Sequence, residues 1–316
     1  MHIYRRTVSD NGDELGRAIP GANFHCVPDY GRSFGGRYWH LHLDWVVLSH
    51  LELDQASVVT ADQRVPDFSV WHIASAHCAL NGESVDGNEL AQVRPGEGGV
   101  MRSAGDAQVT TFGLLGSLFD EAPELELPFG PSAQPGGRWR MSSEAPRMRF
   151  DAVTQIMWRQ LEEQPRLLDS SANRVALRNS LFEAIAPLGD AGTFRPDRAT
   201  ARRHGRIITR FERAITEAGD EPLDMLDLCR QVGASRRSLE AVVRQWTGKS
   251  PWEYLRWRRL WRARALLRRP TEQTTVTEVA FKLGFWHLSR FAGAYTSIFG
   301  ERPSVTLARA NGTSTH

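Results

Sequence analysis

Short apolar runs broken by turn residues fill the first third of the chain, and helix-spaced apolar stripes fill the remainder. Tyr38–Leu48, Phe68–Ala76, Leu90–Arg94, Gly99–Arg102 and Gln108–Leu114 are rich in β-branched and aromatic residues and are bounded by Gly, Pro, Asn and Asp. These segments predict strands, with hairpin connections at Glu83–Asn88 and Pro95–Gly99. Many short strands at this spacing predict a small barrel or sandwich over residues 1–115. A Pro/Gly-rich stretch runs from Pro123 to Gly137. Beyond it, Phe150, Val153, Met157 and Leu161 recur at helical spacing in Met148–Glu163, as do Val175, Leu181 and Ile185 in Ser171–Ala186. Paired amphipathic helices beside a sheet serve either as a dimer seam or as a cover for their own sheet, and the pattern leaves both open. Pro187–Ala201, with two Pro and two Gly, marks a boundary. The expected organisation is an α+β chain: a domain over 1–189 (sheet-rich 1–115, helical 146–187), a linker at 190–202, an all-helical domain over 203–308, and a tail at 309–316.

The helical domain contains an internal repeat. Leu228-Cys229-Arg230-Gln231-Val232-Gly233 returns 51 residues later as Val279-Ala280-Phe281-Lys282-Leu283-Gly284. Past the glycine the offset becomes 52, as if one residue were inserted: Leu239 matches Phe291, Val243 matches Tyr295, Gly248 matches Gly300 and Pro251 matches Pro303. Each copy reads as a short apolar helix, a Gly-centred turn and a second amphipathic helix, which is the pattern of a helix-turn-helix. In the first copy Leu223, Leu226, Cys229 and Val232 form the expected buried stripe, Ser235 is placed to cap the next helix, and Leu239, Val242, Val243 and Trp246 face the core. Arg236, Arg237, Glu240 and Arg244 then point outward. In the second, Thr275 or Thr277 caps a helix with core positions Val279, Ala280 and Leu283. The helix after it is expected to bury Leu288, Phe291, Tyr295 and Ile298, leaving His287, Ser289 and Arg290 outward. Between the copies, Pro251–Arg269 reads as one helix with a narrow stripe of Tyr254, Leu255, Leu260 and Leu267. At ~1.5 Å per residue it is a rod of ~28 Å. Such a rod can set two recognition helices about one DNA turn, ~34 Å, apart.

Charge sharpens this picture. The net charge of +2 conceals a split, with 21 Lys and Arg against 11 Asp and Glu from Ala201 onward. The rest of the chain is net acidic, so the helical domain alone points to a polyanion partner. Nineteen of its basic residues are Arg, suited to forked contacts with phosphate and guanine. A helical domain that binds protein is the competing interpretation. Three distant cysteines with no CxxC predict reduced thiols, and neither a secretory leader nor an apolar run of ~20 residues is visible. A cytoplasmic, nucleoid-associated protein without membrane contact is expected.

The two units, the linking helix and the terminal stretch GFWHLSRFAGAYTSIFGERPS from Gly284 to Ser304 resemble the AraC/XylS family of transcription regulators. The likeness covers roughly Arg206 to Leu307. More narrowly, EPLDMLDLC from Glu221, SRRSL from Ser235 and GFWHL from Gly284 are similar to the ethanolamine-utilisation operon regulators within that family. The resemblance implies base-reading sites at Arg236, Arg237, Glu240 and Ala241 in the first unit and at Leu288, Ser289, Arg290 and Gly293 in the second, with His287 beside them. It also implies phosphate contacts at Arg244, Lys249 and Arg256. Trp286 and His287 depart from the small polar residues that many members carry. Ala241, Leu288 and Gly293 offer no polar reach, so the first unit is expected to carry more of the base readout.

The resemblance further implies a cupin-like N-terminal domain that binds an effector and dimerises, with RNA polymerase and promoter or operator DNA as partners. Arg64, Arg94 and Arg102, with Trp71 among the aromatics Trp39, Trp45 and Phe68, are the candidate effector contacts. Small amine, cobalamin and nucleotide are the classes considered, and a domain serving only dimerisation or protein contact is the alternative. His40-Leu41-His42 places two imidazoles on one side of a strand. The nearest carboxylates are Asp44 and then Glu52, and His72 and His77 are oddly spaced, so no metal or cofactor is expected. An enzyme would need an activated cysteine. Cys26 and Cys78 each follow a His but lie in no such setting, and no catalytic residue is assigned.

Overall fold

The structure is a computed structural model that describes the chain except for residues 1, 13–14, 16–21, 30–33, 64–68, 76, 88, 94–98, 116–117, 119–136, 142, 191, 197–198, 222 and 313–316. Among the described residues, one antiparallel sheet joins β1 (His2–Ser9), β3 (Gly36–Leu43), β4 (Val46–Leu53), β6 (Ser69–Ile73), β9 (Glu89–Val93), β11 (Ala107–Leu114), β12 (Gly137–Met141) and β13 (Gly192–Pro196) in the order β1-β3-β4-β11-β6-β9-β12-β13. A second holds β2 (Ala22–Pro28), β5 (Ser57–Gln63), β7 (Cys78–Leu80), β8 (Glu83–Ser84) and β10 (Gly99–Ser103) in the order β2-β5-β10-β7-β8. They form a sandwich, not a closed barrel.

Alternation along the strands builds the layers. On the larger sheet, Trp39, Leu41, Leu48, Val70 and Phe112 face α1 (Ala145–Glu163) and α2 (Ser171–Asp190), meeting Phe150, Met157, Trp158, Leu181 and Ile185. The paired helices therefore cover their own sheet. The other face, with Tyr38, Leu51, Trp71, Ile73 and Val109, packs on Cys26, Val59, Leu80 and Met101 of the smaller sheet. Arg138 ties the two sheets together, donating from β12 to the carbonyls of Leu80 at 2.9 Å and Ser84 at 3.1 Å.

The far face of the smaller sheet is covered over β2 and much of β10. It receives the C-terminal helices α3 (Ala199–Ala218), α4 (Met225–Val232), α5 (Arg236–Thr247), α6 (Pro251–Arg268), α7 (Val276–Lys282), α8 (Leu288–Phe299) and α9 (Pro303–Ala310), of which α3 and α5 pack on β10 and α6 on β2. The smaller sheet and these helices share one apolar core. Strands buried on both faces lose the apolar–polar alternation, which is why SVVTADQ of β5 gave no sequence signal.

Three expectations need correcting. Tyr38–Leu48 is not one strand but parts of β3 and β4, reversing at Asp44-Trp45, where Asp44 takes φ +51°. The stretch expected as a linker continues α2 through Pro187 to Asp190 and adds the edge strand β13 beside β12. Glu83-Ser84, expected inside a connection, is β8; the turn before it is Asn81-Gly82, at φ +55° and +77°, the primed hairpin signature. Phe68, Pro95 and most of the Pro/Gly-rich stretch from Pro123 lie outside the described residues.

Candidate nucleic-acid interface

The sequence repeat is a structural repeat. In the first unit Ala234 N–H donates to Cys229 O at 3.2 Å, and in the second Phe285 N–H donates to Ala280 O at 2.9 Å, both offset by 51. These close α4 and α7 through Gly233 at φ +67° and Gly284 at φ +77°, a left-handed conformation that glycine adopts without Cβ strain. The recognition helices α5 and α8 then begin and end 52 residues apart, at Arg236 and Leu288, Thr247 and Phe299. The first turn is Gly233-Ala234-Ser235 and the second is Gly284-Phe285-Trp286-His287. Phe285 takes the place of Ala234 and His287 that of Ser235, so the inserted residue is Trp286.

Helix starts follow local chemistry. Asp224 caps α4, Ser235 Oγ accepts from Ser238 N–H to cap α5, and Ser250 with Glu253 and Thr275 with Glu278 form capping boxes on α6 and α7. Of the two threonines expected as alternatives, Thr275 is the cap. His287 stands at the N-cap of α8 without a side-chain bond to its first turn, leaving those N–H groups open to an anion.

The core of the unit is Leu239, Val242, Val243 and Trp246 on α5, Val279, Ala280 and Leu283 around α7, and Phe291, Tyr295 and Phe299 on α8, closed around Tyr254, Leu255, Leu260 and Leu267 of α6. Two expectations fail. Leu226 is 67% exposed because the buried stripe of α4 runs Met225, Leu228, Val232. Leu288 is 39% exposed because it opens the first turn of α8, ahead of the stripe Phe291, Tyr295, Phe299; Ile298 is only half-buried.

Outward, α5 presents Arg236, Arg237, Ala241 and Arg244, with Glu240 half-buried. Arg236 Nε lies 2.9 Å from Glu240 Oε1 in an exposed pair that costs only about 0.3–0.5 kcal/mol to open. Arg256 is exposed on α6. Lys249 is not free: its ammonium is 3.4 Å from Asp29 Oδ1 of the sandwich and 3.5 Å above the Trp257 ring. On the second unit His287, Ser289, Arg290 and Gly293 are exposed. Beside them lies a group the sequence did not announce, since Trp286, Phe281 and Leu288 are 74%, 42% and 39% exposed.

Of the candidate effector residues, the two that are described, Trp71 and Arg102, do not meet. Trp71 is buried between the sheets, whereas Arg102 projects from β10 toward Gly248 at the end of α5. Arg64 and Arg94 lie outside the described residues. Of the histidines, His40 is held by Tyr38 OH at 3.2 Å and Ser49 Oγ at 3.0 Å, His42 reaches Asp44 O, and His72 lies between Gly87 O and the Asp151 carboxylate. His77 occupies a turn at φ +64°. No group of three or more metal-ligating side chains is assembled among the described residues. Cys26 and Cys78 are buried, and burial pushes the Cys78 thiol up. No helix among the described residues is long and apolar enough to cross a membrane.

Between sandwich and helical domain, Glu212 Oε2 accepts from Arg258 at 2.6 Å, both side chains nearly buried. With His25, Thr60 and Thr216 it borders a cavity of about 20 Å³, room for roughly one water.

Residues 228–309 match the helix-turn-helix domain family. The chain is 41% identical over 102 residues to the XylDLEGF operon transcriptional activator 2 of Pseudomonas putida, covering 31% of this chain and 65% of that protein. It is 28% identical over 181 residues to the transcriptional activator RhaR of Cronobacter sakazakii, covering 57% and 60%. The chain thus spans less than two thirds of the length of either relative. A probable AraC family transcriptional regulator from Rhodopseudomonas palustris aligns at 34% identity over 33% of this chain and 96% of that one, with a TM-score of 0.32. Residues 228–309 thus form a helix-turn-helix domain similar to those of AraC-family transcription regulators.

Proposed function

We propose that the protein regulates transcription by binding promoter DNA through both helix-turn-helix units, under control of a small molecule sensed by the sandwich. The observation that carries this reading is the pair of recognition helices α5 and α8 on one domain built around α6, each turning polar or cationic side chains to solvent. Arg236, Arg237 and Glu240 read bases from the first unit, and His287, Ser289 and Arg290 from the second. Arg244, Lys249 and Arg256 grip phosphates. The unit 203–308 binds DNA, 1–189 senses and dimerises, and RNA polymerase is the downstream partner in the cytoplasm. The stretches EPLDMLDLC, SRRSL and GFWHL support a narrower kinship with ethanolamine-utilisation regulators, and with it a small amine or cobalamin as effector.

Selection of a random duplex pool on the full chain tests DNA binding directly, with an enriched motif expected. On the selected duplex, Arg237→Ala relaxes discrimination at one base pair by about 1–3 kcal/mol, whereas Lys249→Ala weakens all duplexes alike and lowers the salt slope by about 1. Equal losses on selected and random DNA for Arg237→Ala would refute its base-reading role. Thermal shifts of the full chain with ethanolamine, cobalamin and nucleotides address the effector; no shift with any of them removes those classes.

A further inference from the structure

The two units do not lead with the same chemistry. At the first turn of α5 stand Arg236 and Arg237, and at the matching positions of α8 stand Leu288 and Ser289. Ahead of Leu288 the second turn carries its extra residue, Trp286, which is 74% exposed and leans on Phe281 with ring centroids 5.8 Å apart. Its neighbour Phe285 turns inward instead, onto Phe291 at 5.0 Å. The insertion therefore adds one outward indole at the tip of the unit and does not deepen the core. Two exposed aromatic rings in contact, with exposed Leu288 two residues beyond Trp286, are apolar surface of the kind that marks interaction sites.

We propose that Trp286, Phe281 and Leu288 form an apolar reading head that packs on thymine C5-methyl groups in the major groove entered by α8. This rests on the DNA-binding reading above and assigns the second unit its own mode of recognition. Three observations favour DNA as the occupant over a protein. The patch is continuous with His287, Ser289 and Arg290, which share the leading edge of the recognition helix and are exposed with it. The N–H groups of that turn receive no side-chain cap, so a phosphate can complete them. The thymine methyl is the apolar feature of the major-groove edge, and apolar side chains are what read it. The first unit reads with charged side chains, and the second adds hydrocarbon to its polar ones.

The test uses the full chain and the duplex enriched from a random pool. Each thymine is replaced in turn by deoxyuridine, which removes the methyl and leaves base pairing intact. At the steps read by the second unit each replacement lowers affinity about fourfold, the worth of one buried carbon. At steps whose recognition Arg237→Ala relaxes, it has no such effect. Trp286→Ala loses affinity on the thymine duplex, and on the uracil duplex matches the unaltered protein to within twofold, so that residue and methyl are coupled. Because Trp286 is exposed, folding survives the change, and the deoxyuridine scan on the unaltered protein needs no variant at all. A selected half-site without thymine, a flat scan, or a Trp286→Ala protein with its full methyl dependence each overturns the proposal. So does normal DNA binding by Trp286→Ala with lost recruitment of RNA polymerase, which would make the patch a protein contact. Failure to enrich any duplex defeats the DNA-binding reading itself, a distinct outcome.

Discussion

His40 lies 5% exposed between the sheets, its ring against Tyr38 OH and Ser49 Oγ, and burial pushes its pKa down to about 4. His25, at the seam with α3, is lowered to about 3, first by burial and then by Arg258. A folded-state value below the ordinary one of about 6.5 means that the neutral ring is the native one. The stability it contributes is present above about pH 6.5 and is lost as pH falls toward the folded value. Acidification from pH 7 to pH 5 is therefore expected to cost up to about 2 kcal/mol for His40. Thermal melts across that range measure it. His40→Gln, which keeps a hydrogen-bonding group that does not titrate, makes the profile shallower by the share of His40 and leaves that of His25. A slope unchanged in that variant means the acid sensitivity lies elsewhere.

At the scale of elements, the turn glycines decide whether each unit forms. A Cβ on Gly284 would sit 3.5 Å from Arg259, ordinary contact, so space is not the obstacle. The obstacle is φ +77°. Gly284→Ala is expected to cost about 1–2 kcal/mol, whereas Gly284→Asn, with its tolerance of the left-handed region, costs less. Denaturant unfolding checks the order of the two, and equal losses would mean the turn is not held at that angle. The same local rules made these helices legible in advance. Ser235, Pro251 and Thr275 act where capping chemistry placed them, and the change in offset from 51 to 52 foretold an insertion. What failed was finer. A strict three-residue step, which drifts off a helix of 3.6 residues per turn within one or two turns, places Leu226 inside, whereas Leu288 follows a sound helical spacing but stands at the first residue of α8, ahead of its buried stripe. Strands β2 and β5 escaped notice because both of their faces are covered, and burial on both sides erases the alternation that identifies a strand.

At the scale of the molecule, sandwich and helical domain are joined by contacts no sequence pattern announces, because their partners lie about two hundred residues apart. Trp261 Nε1 donates to Pro28 O at 3.3 Å, Phe34 meets the same indole edge-on, Arg268 pairs with Asp10 at 2.6 Å, and Lys249 pairs with Asp29. A shared core of this kind predicts one cooperative unfolding transition and not two. Calorimetry reads this directly, and two resolved transitions would show that the halves melt independently. The pair at Asp29 bears on binding as well. Lys249 has a carboxylate partner in the free protein and a phosphate as its proposed partner on DNA, so the two anions compete for one ammonium. Both side chains are partly exposed, at 22% and 32%, which limits the pair to about 0.2–1 kcal/mol. Asp29→Asn should then tighten binding to any duplex by up to about fivefold at low salt, the gain fading as screening rises. Selectivity between duplexes stays unchanged, because phosphate contacts carry no sequence information. If Asp29→Asn leaves affinity unaltered at every ionic strength, Lys249 keeps its sandwich partner in the DNA complex, and the phosphate grip falls to Arg244 and Arg256.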